Sequence, residues 1–330
     1  MRALALAVCL ASLALGQNVT RVFTLTNATA VTSLQEIATT VRTVGQIQQL
    51  SVDNALGALT VKGTSDQIAL AEWLVPKLDV AGTSFRGPQD YWVGGNSDDV
   101  VLVLDLAHAT TRPGLQEIIT TLRTVAEIQK IFMVTAPKIV TLRGNAGQIA
   151  LARFLIPALN AEINPAPPAT ESHIVSRFKM GNPSNDTVLV YALAHANSPQ
   201  SVQAIITTLR GVLDIQRIFQ VSSPKLLAMR GSSDQVRMIE WLIPELDRET
   251  ANTGGNEARV PGGNDDVVHV FYLSRLTSME SLIGLLKELR SIARFPRASV
   301  QNAPAALVLR GTADQIALAG RTIELRDRAN

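Results

Sequence analysis

The sequence predicts an α+β fold: four tandem βαββα units, each with two helices packed on one face of a three-stranded sheet. Three observations predict it. Four segments carry a basic residue, a glycine, three residues, and then Gln with Ile or Val. They are Lys62-Gly63…Gln67-Ile68, Arg143-Gly144…Gln148-Ile149, Arg230-Gly231…Gln235-Val236 and Arg310-Gly311…Gln315-Ile316. The glycines lie 81, 87 and 80 residues apart, an arginine precedes each by 21 positions (Arg42, Arg123, Arg210, Arg290), and a leucine by 38 (Leu25, Leu106, Leu193, Leu273). Register held through four copies marks an internal repeat. Within each copy, apolar patterning passes from strand-like to helix-like twice.

Each unit opens with a short apolar run such as Val100–Leu106 or Val267–Leu273. Near-continuous apolarity suits a strand buried on both faces. A helical pattern comes next: Leu115, Ile118, Ile119, Leu122 and Val125 in the second unit, Leu282, Leu285, Leu286, Leu289 and Ile292 in the fourth. Both place one apolar stripe on one helix face. A hairpin succeeds the helix. Ile128–Val134 and Ile139–Leu142 flank a turn with Pro137; Pro224 and Pro304 hold that place later, and Asp53-Asn54 marks it in the first unit. The glycine then ends the third strand. Thr64, Asn145, Ser232 and Thr312 are candidate N-caps of the second helix. Gln67, Gln148, Gln235 and Gln315, three residues on, complete capping boxes, a structural role. Pro76, Pro157 and Pro244 mark the end of that helix.

The fourth unit differs at its close. Trp73, Phe154 and Trp241 give way to Arg321. A polar outer face is what a terminal repeat presents. Equivalently, the three aromatics pack on the next segment of the chain. The linkers share a distal pattern too, with polar turns at Asp98-Asp99, Asn185-Asp186 and Asp265-Asp266. An extra edge strand is expected near 90–93, 175–180 and 257–260.

Residues 1–16 read as a signal peptide: Met1-Arg2, an apolar stretch, then small residues before Gln17. The repeats occupy 17–79, 90–160, 175–248 and 257–327, with linkers at 80–89, 161–174 and 249–256. The second linker carries Asn164-Pro-Ala-Pro-Pro168, a spacer composition. The single cysteine, Cys9, falls in the signal, so no disulfide framework or thiolate metal site is expected. No other apolar run approaches the roughly 18 residues of a membrane span, so no transmembrane segment is expected. With 30 basic and 28 acidic residues the formal charge is +2, which argues against a polybasic nucleic-acid binder.

Chemistry is sparse. His108 and His195 share one turn position that Asn27 and Arg275 fill elsewhere, which reads as a polar turn rather than a ligand set. No nucleophile elbow or phosphate loop occurs. No catalytic residue, metal ligand or cofactor is expected, and the chain reads as not an enzyme. Arg42, Arg123, Arg210 and Arg290 sit at the first helix's C-terminal end, where the dipole favours a cation. With Trp73 and Trp241 they are candidate interface residues.

The unit resembles the short, NolW-like N-terminal domains that build the rings of bacterial secretins. The resemblance rests on Leu50-Ser-Val-Asp-Asn54, Leu59-Thr-Val-Lys-Gly-Thr64, Gln67-Ile68 and Trp73-Leu-Val-Pro-Lys-Leu-Asp79. Asp247 repeats the closing aspartate, and Asn160 departs from it. The resemblance implies a βαββα fold, a periplasmic location and domains that pack side by side. The β-barrel gate of a secretin has no counterpart after the fourth unit. The expected function is an exported, non-enzymatic scaffold that assembles with itself or with an envelope partner, and no nucleic acid. The alternatives are a KH-like nucleic-acid-binding repeat protein and a ligand-binding protein using grooves between repeats. The first lacks a Gly-x-x-Gly loop joining two helices.

Overall fold

The computed structural model describes residues 18–82, 87–94, 99–106, 111–161, 171–181, 184–222, 225–249, 256–262 and 266–329. The signal segment, His108, Asp98, Asp265, Pro224 and the Asn164–Pro168 spacer lie outside them. The first repeat runs β1 (Val19–Thr24), α1 (Val31–Val44), β2 (Gln49–Asp53), β3 (Ala58–Gly63) and α2 (Ser65–Leu78). The second adds a leading strand: β4 (Gln89–Trp92), β5 (Asp99–Asp105), α3 (Arg112–Val125), β6 (Lys130–Val134), β7 (Ile139–Asn145) and α4 (Ala146–Leu159). The third is β8 (His173–Lys179), β9 (Thr187–Ala192), α5 (Pro199–Leu213), β10 (Arg217–Val221), β11 (Leu226–Gly231) and α6 (Ser233–Leu246). The fourth is β12 (Asn256–Arg259), β13 (Asp266–Tyr272), α7 (Met279–Ala293), β14 (Arg297–Asn302), β15 (Ala305–Thr312) and α8 (Ala313–Ala329).

The expected βαββα order is present in each copy, but the sheets differ from the three-stranded expectation. Among the described residues only the first is three-stranded, ordered β1-β3-β2; the others run β4-β5-β7-β6, β8-β9-β11-β10 and β12-β13-β15-β14. Every pairing is antiparallel. The added strands occupy the linker ends where extra strands were expected. They alternate half-buried and exposed residues, so each has a side worth covering.

Two further expectations are corrected. The second helices run past their prolines to Leu78, Leu159 and Leu246. Each proline stands two residues before the helix end, so the missing N–H leaves a single carbonyl, four residues back, without its helical donor. The opening strand is buried on both faces in β5 and β9, but β1 is mostly exposed.

The chain forms two compact bodies, one of residues 1–106 and 129–146, the other of 107–128 and 147–330. The second repeat thus gives its strands to one body and nearly all of its helices to the other. In the first body, α1 and α2 share one apolar cluster with Leu59 and Val61 of their own sheet and with Val101, Val103, Val134 and Ile139 of the next. In the second body, α5 and α6 share a cluster with Leu227 and Met229 of their own sheet and with Val268, Val270, Ala306 and Val308 of the next. A helix layer therefore lies between two sheets in each body. In the fourth sheet this explains the apolar strands: Val268, Val270 and Val308 meet the preceding helices, and Val267, Leu307 and Leu309 meet the repeat's own.

The second helix is tied back to its repeat at both ends. Gly63, Gly231 and Gly311 sit under the folded Gln side chain; a Cβ would meet Gln Oε1 at 2.6, 3.0 and 2.6 Å. Thr64 N donates to Gln67 Oε1 and Gln67 N to Thr64 Oγ1, which forms the capping box; Ser232 and Gln235 repeat it. Thr312 and Gln315 make the same two bonds. At the other end, Asp79 accepts backbone N–H bonds from Thr26, Asn27 and Ala28 at 2.6, 2.9 and 2.8 Å. Asp247 accepts those of Ala194, His195 and Ala196, and Asp327 those of Ser274, Arg275 and Leu276. His195 is thereby a turn residue held by its backbone. Asp327 continues the closing-aspartate series into the fourth repeat, 16 residues after Gly311 as Asp79 and Asp247 follow Gly63 and Gly231.

Candidate functional site

The first helices end in one conformation. Gln46, Glu127, Asp214 and Arg294 have φ of 54, 56, 58 and 52°, the left-handed stop that frees the last carbonyls. Those carbonyls, at the negative end of the helix dipole, attract cations.

The cation comes from the next repeat. Arg143, Arg230 and Arg310, just before the repeated glycines, have side chains only 6, 8 and 13% exposed. Their Nε atoms donate to Asp99, Asp186 and Asp266 at 2.8, 2.8 and 3.1 Å. Val101 pairs with Arg143 across the ladder, so Asp99, two residues earlier, is a diagonal neighbour on the same face. Their Nη1 atoms reach the preceding repeat. Arg143 donates to Val44 O at 2.7 Å, Arg230 to Glu127 Oε2 at 2.9 Å, and Arg310 to Val212 O at 3.2 Å. The aspartates that read as linker turns are thus one half of a junction device.

Around this arginine each junction is varied. Glu127 also pairs with Arg217 at 2.7 Å, and Asp214 with Arg297 at 2.7 Å. Glu36 accepts from Thr135 N and Oγ1 at 2.8 and 2.7 Å, and Glu117 accepts in the same way from Ser222 N and Oγ. At the corresponding place in the third repeat stands Ala204. There the buried Thr208 donates to Ser299 Oγ and accepts from Gln301 Nε2, both at 2.7 Å. The polar groups of that junction satisfy one another, as burial requires.

The second helices contribute aromatics. Trp73 lies 5.2 Å from Tyr91 of β4, and Phe154 lies 5.2 Å from Phe178 of β8, ring centre to ring centre. Lys77 Nζ sits 4.4 Å over the Trp73 ring. Trp241 is half-buried against the apolar cluster that α5 and α6 share with the fourth sheet. Tyr91 and Phe178 are the downstream partners that Trp73 and Phe154 were expected to meet.

A polar knot joins α6 to the fourth sheet. Glu245 is 6% exposed. Its carboxylate accepts from Tyr272 Oη at 2.6 Å, Asn256 Nδ2 at 2.5 Å and Arg248 Nη2 at 2.5 Å. Burial pushes the Glu245 carboxyl up, but the bonds from Tyr272, Asn256 and Arg248 outweigh it and hold it below its ordinary range. The same burial, with Glu245 alongside, pushes the Tyr272 hydroxyl far up. Both directions keep the proton on the tyrosine.

Three of the arginines named from sequence bond within their own repeats. Arg42, Arg210 and Arg290 Nη2 donate to Leu50 O, Ile218 O and Ala298 O, each within its own repeat. They and Arg123 are exposed at the residue level. The capping glutamines do more than cap. Nε2 of Gln67, Gln148, Gln235 and Gln315 donates to Gln46 O, Glu127 O, Asp214 O and Ala293 O, locking the second helix's start to the first helix's end.

Among the described residues, no three His, Cys, Asp or Glu side chains cluster as a metal site. No described helix is long and apolar enough to cross a membrane. An open cleft of about 810 Å³ runs beside α5, bordered by Glu117, Gln203, Arg210, Phe219 and Ser299. Of its charged lining, Glu117 is engaged by Ser222 and Arg210 by Ile218 O.

No family model matches the chain, and no curated protein matches it. Similar solved structures include a protein of unknown function from Aeropyrum pernix, 13% identical, with TM-score 0.24, covering 44% of this chain and 83% of that one. Dim2p from Pyrococcus horikoshii OT3 is 13% identical, with TM-score 0.25 over 43% of this chain and 90% of that one. An ETEC pilotin–secretin AspS–GspD complex matches at 15% identity and TM-score 0.18, over 90% of this chain and 59% of that one.

Proposed function

We propose that the chain is an exported, non-enzymatic scaffold for protein–protein assembly in the cell envelope, similar to secretin N domains. Its working units are the repeats at 17–79, 90–160, 175–248 and 257–327. The signal segment ends at Gly16 and leaves a periplasmic or secreted chain.

One observation carries the reading: helix-on-sheet docking between successive repeats, built around Arg143, Arg230 and Arg310. A fold that uses its repeated charges to join like units is suited to joining further units. Trp73 and Trp241 serve the junctions in this reading, and the exposed Arg42, Arg123, Arg210 and Arg290 line the rim.

The test is a pull-down from an envelope extract with tagged residues 17–330, alongside an Arg230→Met/Arg310→Met variant. Specific envelope proteins, or the untagged chain itself, are expected with the first and diminished with the second. No capture above an untagged control refutes the reading.

A further inference from the structure

The three junctions share a rule, and among the described residues no further sheet covers the α7–α8 layer. Val44, Val125 and Val212, two residues after the repeated arginines, are 0% exposed; their counterpart Ile292 is 48% exposed. Leu325 on α8 is 72% exposed. Both belong to the outer side of α7 and α8, where Arg321 replaces the junction aromatics. Glu288, at the place of the buried Thr40, Thr121 and Thr208, is held by Arg326 at 2.8 Å.

The charge at the helix stop is reversed. Where Glu127 and Asp214 receive arginines from the next repeat, the fourth repeat has Arg294, in the same left-handed conformation. Arg294 and Arg321 have no ion-pair partner among the described residues. The first sheet is altered to match. Lys62 stands where Arg143, Arg230 and Arg310 stand, and Asn18 where Asp99, Asp186 and Asp266 hold them. Lys62, Thr20, Val22, Thr24 and Ser51 are all exposed. A second copy docked on α7 by the shared rule brings Lys62 against Arg294, two like charges.

We infer that the α7–α8 face is a docking surface for a partner protein's β-sheet that carries a carboxylate where the repeats carry arginine. The Lys62–Arg294 clash keeps further copies of this chain off that surface. The inference rests on the scaffold reading and names its partner's chemistry. Two observations support the occupant: continuity with three existing helix-on-sheet junctions, and the cations Arg294, two residues after the exposed Ile292, and Arg321, which borders Leu325 together with the paired Glu324 and Arg328.

The experiment uses the chain as its own probe. Lys62→Glu supplies a sheet with a carboxylate at the critical position, and Arg294→Glu reverses the opposite partner. Glu127 already occupies the equivalent left-handed position, so the backbone accepts glutamate there. Sedimentation velocity across a micromolar series compares wild type, both single variants and the double variant. Each single variant is expected to strengthen association about tenfold over wild type, and the double variant to return to the wild-type level. No gain in either single variant, or an equal gain in the double, overturns the inference. Association through any other surface is common to all four proteins and cancels. Failure of the scaffold reading shows separately, as a wild-type chain that captures nothing from envelope extract above the untagged control.

Discussion

Arg230 Nη1 lies 2.9 Å from Glu127 Oε2, an ion pair between residues 103 apart that fastens one repeat to the next. Only one partner is buried: the Arg230 side chain is 8% exposed and that of Glu127 45%. That asymmetry sets the expected cost of removing each.

Arg230→Met is expected to destabilise by about 1.5–3 kcal/mol, because Asp186 and Glu127 both lose a charged hydrogen-bond donor. Arg217, 43% exposed against the same Glu127, is expected to contribute under about 1 kcal/mol when replaced by Met. Denaturant midpoints of the two variants read the difference directly. Equal costs would mean that Arg230 is not the junction's anchor.

Gly63→Ala drives a Cβ to 2.6 Å from Gln67 Oε1. The capping box must open, at about 0.5–2 kcal/mol. In the background of Gln67→Ala the glycine change costs less, since Oε1 is gone and only the Cβ of residue 67, 3.2 Å away, still presses on it. Gly94→Ala, where a Cβ meets nothing within 4 Å, is the neutral control. Thermal unfolding of the four proteins and the control completes the cycle.

Tyr272→Phe removes the hydroxyl that donates to the buried Glu245. The expected loss is about 1.5–3 kcal/mol at neutral pH, that of a hydrogen bond to a charged group. The pH dependence has a definite sign. Glu245 is held below its ordinary value, so its contribution is present above pH 4.5 and fades as pH falls through the folded value. With less to hold it down, the variant starts to lose stability at higher pH on acidification. Urea midpoints between neutral and acid pH check it.

His269 stacks on Phe271 with ring centres 3.9 Å apart, and burial lowers its pKa despite the nearby Glu257. The unfolded chain therefore binds more protons just below pH 6.5, and stability falls there as pH falls. His269→Phe is expected to flatten that part of the profile. An unchanged slope between about pH 7 and 5 would assign the acid sensitivity elsewhere.

Much of this is legible in the sequence. The repeat spacing carries the βαββα order, Gln67 and Gln235 mark the capping boxes, and the linker pattern marks the extra strands. The hidden part is long-range. Asp99, Asp186 and Asp266 look like turn residues because their partners lie 44 residues on, in another strand. That constant separation is a usable signal. Arg42 and its counterparts stand out for their regularity, yet Arg42, Arg210 and Arg290 serve a neighbouring strand's carbonyl. The junction arginines stand one residue before the glycines and so look like part of the cap. Docking of a helix layer on the next sheet has no local pattern at all. It shows only as strands too apolar for a small two-layer unit.

Native mass spectrometry of residues 17–330 at micromolar concentration, alone and after incubation with envelope extract, tests the scaffold reading most directly. The account predicts a defined complex heavier than one chain, with itself or with an envelope protein, that weakens in Arg230→Met/Arg310→Met. A single chain under every condition would contradict it.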